Sequence, residues 1–247
     1  MDKKRQKATW TAIVVLFLLA LGYLGYSRWM APTDIALVNM SGFQGTPIAR
    51  SNTNKAVRYH LISPQEFIKN SRGYEFVLLN GMGLKIDADE RAKIQKYAES
   101  GKPIMTVMAT NPQNNICNID SLRVGRIEEY FYNGNKQNNI SLANYIRKYI
   151  DGKKTSVPDP LDPVSTPYNV LYHLDESVQA PTVKEYEDYL RQIGYYYEGA
   201  PKVALVGALN SPYSGNKKNL DELIQALSDK RLNVYPIYAS NKDCWTF

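Results

Sequence analysis

The stretch KVALVGALNSPYSGNKKNLDELIQALSDKRLNVYPIYASNKD, residues 202–243, changes periodicity twice. Val203-Ala-Leu-Val-Gly207 is an apolar β run, Leu220, Leu223, Ile224 and Leu227 then recur at helical spacing, and Val234-Tyr-Pro-Ile-Tyr238 returns to β character. A polar turn, Ser211-Pro-Tyr-Ser-Gly-Asn-Lys-Lys218, separates the first run from the helix. This is one β-α-β unit, which places two parallel strands side by side. Two strands cannot bury both of their faces, and nine residues follow Tyr238. The stretch therefore predicts the start of an α/β domain that is truncated.

Upstream, residues 34–109 repeat the alternation more fully. Ile35-Ala-Leu-Val38, the alternating Val57, Tyr59 and Leu61, Phe76-Val-Leu-Leu79 and Ile104 to Met108 read as four strands. Ser63-Pro-Gln-Glu66 has the form of a capping box with proline at the first helical position, and Ile62 and Phe67 stand where a hydrophobic staple closes the turn. Asp87-Ala-Asp-Glu90 caps a second helix, which Gly101 stops. Strands separated by helices predict a parallel-sheet α/β domain of flavodoxin-like type. Further on, Ile119 to Tyr132 reads as a helix and Asn133 to Asn139 as a polar loop. Ser141 then reads as the cap of a helix with Leu142, Tyr145, Ile146, Tyr149 and Ile150 on its apolar stripe. Pro158, Pro160, Pro163 and Pro167 mark a linker or extended crossing segment. Asn169 to Leu174 is a further apolar run, and Thr182-Val-Lys-Glu185 caps a helix with Val183, Tyr186, Leu190 and Ile193 inward. The resulting organisation is a tail and membrane segment at 1–30, an α/β domain at 31–150, a Pro-rich linker at 151–168 and an incomplete second α/β region at 169–247.

The first residues speak to location. Lys3, Lys4, Arg5 and Lys7 precede an uncharged, mostly apolar run from Ala8 to Tyr26. About 20 such residues cover the roughly 30 Å hydrocarbon core of a bilayer. Tyr23, Tyr26 and Trp29 fall where an aromatic belt lies, and the leading positive charges put the N-terminus in the cytoplasm. The reading is a single-pass inner-membrane anchor with the bulk of the chain periplasmic. The competing reading is a cleaved signal peptide ending near Ala20-Leu-Gly22. Export also recasts the net charge of +6: residues 1–30 hold five Lys or Arg and one Asp, a share of +4, which leaves +2 for the rest. With no basic stripe interleaved with aromatics, nucleic acid is excluded as a partner. Cys117 and Cys244 have no CxxC spacing and read as two unrelated thiols.

Chemistry-bearing residues are few. In parallel sheets ligands bind beyond the carboxyl ends of the strands, which here are Asn39-Met-Ser-Gly42, Asn80-Gly-Met-Gly83 and Ala109 to Asn115. Asn39 and Asn80 could line a crevice there, or could simply supply the backbone conformations of short turns. Asn80-Gly-Met-Gly83 is no dinucleotide fingerprint, because Ile86 stands where the third glycine belongs. Ser214, Gly215, Asn216 and Lys217 lie between a strand and a helix start, where free N–H groups and the positive dipole end favour a carboxylate or phosphate. The alternative is that this turn caps the helix, with Asn219 and Glu222 spaced as a box. It is not a Walker A loop, since Asn216 follows Gly215 where lysine is required. His60 and His173 are the chain's two histidines, and neither has a second ligand at metal spacing. Gly-x-Ser-x-Gly is absent. No cofactor is readable, and the segment is expected to catalyse nothing by itself. Its nineteen tyrosines at helical spacings read as half-buried core.

Residues 170–243 nevertheless resemble the CobN/magnesium chelatase large-subunit family, whose members handle metal in corrin and porphyrin rings. The resemblance rests on Leu171-Tyr-His-Leu174, on the helix Glu185-Tyr-Glu-Asp-Tyr-Leu190, and most on Val203-Ala-Leu-Val206 followed by Ser214-Gly-Asn216 and Leu220-Asp-Glu-Leu-Ile-Gln-Ala-Leu227. Leu174 stands where the family usually has proline. The N-terminal membrane segment is similar to that of membrane-anchored CobN-like proteins of haem-uptake loci. The resemblance implies an N-terminal part of a tetrapyrrole metal chelatase or dechelatase subunit. It further implies a porphyrin, haem or corrin ring and a divalent metal as substrates, and ATPase chelatase subunits as partners. His173 and Ser214-Gly-Asn216 are the residues it carries over. The alternative class is a non-catalytic exported module that binds a small anionic or tetrapyrrole ligand.

Overall fold

The computed structural model describes residues 3–166, 169–174, 178–206 and 218–239. An apolar helix, α1 (Lys3–Gly25), opens the chain and continues as a π-helical turn, Tyr26–Met30. Its stretch Trp10–Met30 is 21 residues long, with mean hydropathy 1.8 and none of its span buried against the protein. The elements that follow are β1 (Thr33–Val38), α2 (Gly42–Ser51), β2 (Val57–Ile62), α3 (Pro64–Lys69), β3 (Phe76–Asn80), α4 (Ala88–Glu99), β4 (Ile104–Val107), α5 (Ser121–Tyr132) and α6 (Lys136–Tyr145). After them come β5 (Val170–Tyr172), β6 (Gln179–Ala180), α7 (Val183–Gln192), β7 (Lys202–Leu205), α8 (Lys218–Asp229) and β8 (Asn233–Tyr238). They segregate into two compact units. The first holds α1, β1 to β4, α3, α4 and residues 142–160; the second holds α2, residues 125–141 and the elements from β5 onward.

The first unit is a parallel sheet in the order β2-β1-β3-β4, with Thr33 opposite Val57, Ile35 opposite Phe76 and Val77 opposite Ile104. This is the doubly wound order of flavodoxin-like folds, as the alternation of strands and helices predicts. Ile35, Ala36, Leu37 and Val38 are all fully buried, which is why β1 reads as a continuous apolar run rather than an alternating one. On one face Ala36, Val38, Val77 and Leu79 meet Phe67 of α3 and Ile94, Tyr97 and Ala98 of α4. Burying each of the larger apolar side chains stabilises the unit by about 1.5–3 kcal/mol. Local chemistry sets the helix ends. The Ser63 hydroxyl accepts from Glu66 N–H at 3.1 Å with Pro64 at the first turn. Asp87 and Glu90 form a reciprocal box at 2.8 and 3.1 Å, and Gly101, at φ +80°, ends α4.

Arg147, not among the residues of the expected apolar stripe, is fully buried in this unit. Its guanidinium donates to the carbonyls of Thr155 (2.9 Å), Ala31 (2.9 Å) and Ala56 (3.0 Å) and to Thr33 Oγ1 (3.0 Å). Beside it Thr33 donates to Asp151, and Lys153 pairs with Asp151 at 2.9 Å. Desolvation holds the Arg147 pKa below its ordinary value, against the raising effect of the Asp151 and Glu75 carboxylates. The guanidinium thus ties residues 147–155 to the start of β1. The Pro-rich segment continues these ties: Asn54 Nδ2 donates to Ser156 O at 2.7 Å.

In the second unit the β-α-β pair β7/α8/β8 exists as predicted, with Val203 opposite Val234. Its β8 edge is paired by earlier chain. Strand β5 pairs antiparallel with β8, and β6 pairs with β5, giving the mixed order β6-β5-β8-β7. Preceding chain therefore adds two strands on the β8 side of the sheet. Leu171, Tyr235 and Ile237 pack under Tyr186 and Leu190 of α7, while Tyr172 and Val234 pack under Ile224 of α8, so a helix covers each face.

Three sequence expectations are corrected. Helix α6 begins at Lys136, inside the stretch read as a loop, because Asn135 Oδ1 accepts from Asn138 N–H at 2.8 Å and serves as the cap. Ser141 instead lies buried within that helix and accepts from Leu161 N–H at 3.2 Å. On the expected stripe Leu142 and Ile146 are buried, but Tyr149 is 45 % exposed and Arg147 takes an inward place. Ile193, expected inward, is 37 % exposed.

Candidate functional site

The strand-end rim of the first unit brings Asn39 and Asn80 together, since β1 and β3 are neighbours at the switch in strand order. Asn39, at φ 58°, is left-handed, and its Nδ2 donates to Asn80 O at 2.8 Å and Met82 O at 3.3 Å. Asn80 is 3 % exposed and accepts from Met82 N–H through Oδ1 at 2.9 Å. The Asn39 carboxamide thus ties the loop after β1 to the loop after β3, and the Asn80 carboxamide builds its own loop. Gly81 is required for contact, because a Cβ there would stand 2.7 Å from Ala109 Cα. His60 lies elsewhere, its Nε2 2.6 Å from Asp34 Oδ1 at the opposite end of the same sheet.

The second unit contains the more distinctive constellation. His173 follows β5 and is 5 % exposed, on the sheet face covered by α7. The rings of Tyr189, Tyr195 and Tyr186 surround it, with centroids at 5.4, 5.9 and 6.4 Å, and Tyr189 Oη lies 3.4 Å from Nδ1. Sequence chemistry builds this shell. The Thr182 hydroxyl accepts from Glu185 N–H at 3.2 Å and starts α7, whose i, i+3 spacing puts Tyr186 and Tyr189 on one side. Gly194, at φ 76°, reverses the chain so that Tyr195 N–H donates to Leu190 O at 2.8 Å, which returns the Tyr195 ring to His173. Asn233, 1 % exposed, holds the following loop through Tyr197 N and O at 2.9 and 2.8 Å.

Beneath the shell Glu187 Oε1 accepts from Lys202 Nζ at 2.6 Å and from Tyr235 Oη at 2.7 Å. The Lys202 and Tyr235 hydrogen bonds hold the Glu187 carboxyl below its ordinary range, and Glu187 in turn raises the Lys202 ammonium. Tyr235 is pushed up to about 12, chiefly by burial. The Tyr186 hydroxyl is buried without a hydrogen-bond partner among the described residues. Burial raises its pKa steeply, so it stays neutral.

Of the residues singled out in the sequence, Asn39 and Asn80 converge in the first unit and His173 stands in the second. Ser214, Gly215, Asn216, Lys217 and Cys244 lie outside the described residues. Helix α8, which follows the Ser-Gly-Asn turn, covers the sheet face opposite His173. Sequence reading missed the tyrosine shell as a unit, although Tyr186, Tyr189 and Tyr195 carry the signal of aromatics on one helix face continued past a glycine stop. Among the described residues no group of three or more His, Cys, Asp or Glu converges to hold a metal ion. What the shell offers is an imidazole among flat aromatic faces, with a charged Glu-Lys pair behind it.

The chain is thus an α/β protein of two units, one with a flavodoxin-like sheet and one with a mixed sheet around a histidine-tyrosine cluster. Residues 128–246 match the model of the CobN/magnesium chelatase family. Among solved structures, the catalytic subunit of cobaltochelatase from Mycobacterium tuberculosis shares the fold. The TM-score is 0.50 and the identity 16 %, over 84 % of this chain and 16 % of that one. The chain therefore spans about a sixth of the length of that protein. No curated protein matches the sequence.

Proposed function

We propose that the chain is the amino-terminal part of a membrane-anchored CobN-like subunit that inserts a metal into, or removes one from, a corrin or porphyrin ring, haem included. The observation that carries this is the family match over 128–246, which encloses His173 and its tyrosine shell. In this reading α1 is a retained single-pass anchor of the inner membrane with the bulk of the chain outside the cytoplasm. Its length and hydropathy support that. The shell supplies one wall of the tetrapyrrole cleft, where aromatic faces suit a planar ring and His173 presents a nitrogen toward it. The Ser214-Gly-Asn216 turn with Lys217 receives a carboxylate of the ring. The metal is substrate, and ATP-driven chelatase subunits are the partners.

A titration of the full chain in detergent with haem, metal-free porphyrin and cobyrinic acid, followed by Soret or corrin absorbance, tests the reading. Saturable binding of at least one ring is expected, and His173→Gln should weaken it about fivefold, the value of one hydrogen bond. Failure to bind all three rings would sink the proposal. Binding indifferent to His173 would move the cleft away from the shell.

A further inference from the structure

A groove of about 400 Å³ lies in the first unit between α3 and α4. Its floor is apolar, from Phe67 (1 % exposed) and Tyr97 (7 % exposed), and its rim is cationic, from Arg72, Lys93, Lys96 and Lys102. No carboxylate lines it. Among the described residues Arg72, Lys93 and Lys96 take part in no ion pair, and Lys102 spends its charge over the Tyr97 ring, 5.3 Å from the centroid. Four cations without counter-charge over an aromatic floor make a receptor for an amphipathic anion.

Topology says which one. The groove is built from the end of α3, the last half of α4 and the residue two places before β4, so it sits at the amino ends of the parallel strands. Helix α1 reaches the unit at that same end, because Ala31 and Pro32 alone separate Met30 from the first residue of β1. The connection is clamped. Arg147 donates to Ala31 O at 2.9 Å and Thr155 donates to Trp29 O. Two residues span about 7 Å, so if the helix crosses a bilayer, this end of the sheet stands within a headgroup layer of it. We infer that the α3/α4 groove is a docking site for the phosphate headgroup of an anionic membrane phospholipid, with the apolar floor receiving the start of its glycerol and acyl chains. This holds the first unit down on the membrane and fixes its orientation. It rests on the reading of α1 as a membrane helix, not on the tetrapyrrole reading.

The full chain in nanodiscs tests it, with lysine acetylation read by mass spectrometry. In discs containing phosphatidylglycerol, labelling of Lys96 should fall severalfold relative to pure phosphatidylcholine discs, while Lys218, 86 % exposed in the second unit, stays constant. The double variant Arg72→Gln/Lys93→Gln, both at exposed positions, should abolish that difference. Quenching of Trp10 fluorescence by brominated lipid reports α1 independently. Quenched Trp10 with unprotected Lys96 overturns the groove while leaving the anchor, and unquenched Trp10 overturns both. Equal protection by soluble glycerol phosphate in neutral discs would assign the groove to a free anion and overturn the docking site. Porphyrin absorbance in the same discs is expected to be unchanged by the double variant, so the two proposals fail separately.

Discussion

Arg147 shows how one side chain can hold together segments far apart in sequence. Its guanidinium serves Ala31, Thr33, Ala56 and Thr155, and lysine has too few donors in too compact a head to replace it. Arg147→Ala removes charge-assisted hydrogen bonds to three part-buried carbonyls and should cost about 1.5–3 kcal/mol, read by urea unfolding; a loss under about 1 kcal/mol would show that solvent replaces them. Tyr186 is the converse case. Its buried hydroxyl has no partner among the described residues, so Tyr186→Phe should be neutral or stabilising by about 1 kcal/mol in thermal melts, and a clear loss would reveal a bond partner. Glu187 carries the pH dependence. Its pKa is lowered in the fold by Lys202 and Tyr235, so its contribution is present above the unfolded value of 4.5 and vanishes as pH falls through the lower folded value. The difference in melting temperature between the native chain and Glu187→Gln should therefore shrink below pH 4.5.

At the scale of elements, capping decided what periodicity could not. The starts of α3, α4 and α7 were legible because Ser63, Asp87 and Thr182 each precede a glutamate by three residues, and each accepts the expected N–H. The start of α6 was not. The polar run Asn133 to Asn139 contains several residues that can cap or turn, and choosing Asn135 over Ser141 required knowing that Ser141 is committed to Leu161. Asn135→Ala should lower stability by about 1 kcal/mol and shorten α6 at its start, visible as faster amide exchange at Asn138 and Asn139. An unchanged exchange rate there would return the cap to Ser141. The asparagines of the strand ends were legible as turn builders and as site candidates alike. The structure spends Asn39 on carbonyls of the neighbouring loop after β3 and Asn80 on an N–H of its own loop.

For the whole molecule the N-terminal apolar helix is the widest-reaching feature. The uncharged run from Ala8 is a local property of composition, and the chain is expected to stay with the membrane fraction after alkaline extraction at its full mass; release as a shortened soluble product would make the run a cleaved signal. The sequence by itself determined the alternation of strands and helices, the parallel first sheet, the β7/α8/β8 unit and the family resemblance of residues 170–243. These depend on neighbours in the chain: side-chain periodicity, caps and the contiguous Leu171-Tyr-His-Leu174 and Leu220 to Leu227 runs. Only the tertiary structure decided that β5 joins the second sheet in the antiparallel sense, that Tyr186, Tyr189 and Tyr195 gather on His173, and that Arg72, Lys93, Lys96 and Lys102 form a basic groove. Charges spread over thirty residues look unremarkable along the chain. Once α3 and α4 pack side by side, the same charges share one screening length and act together.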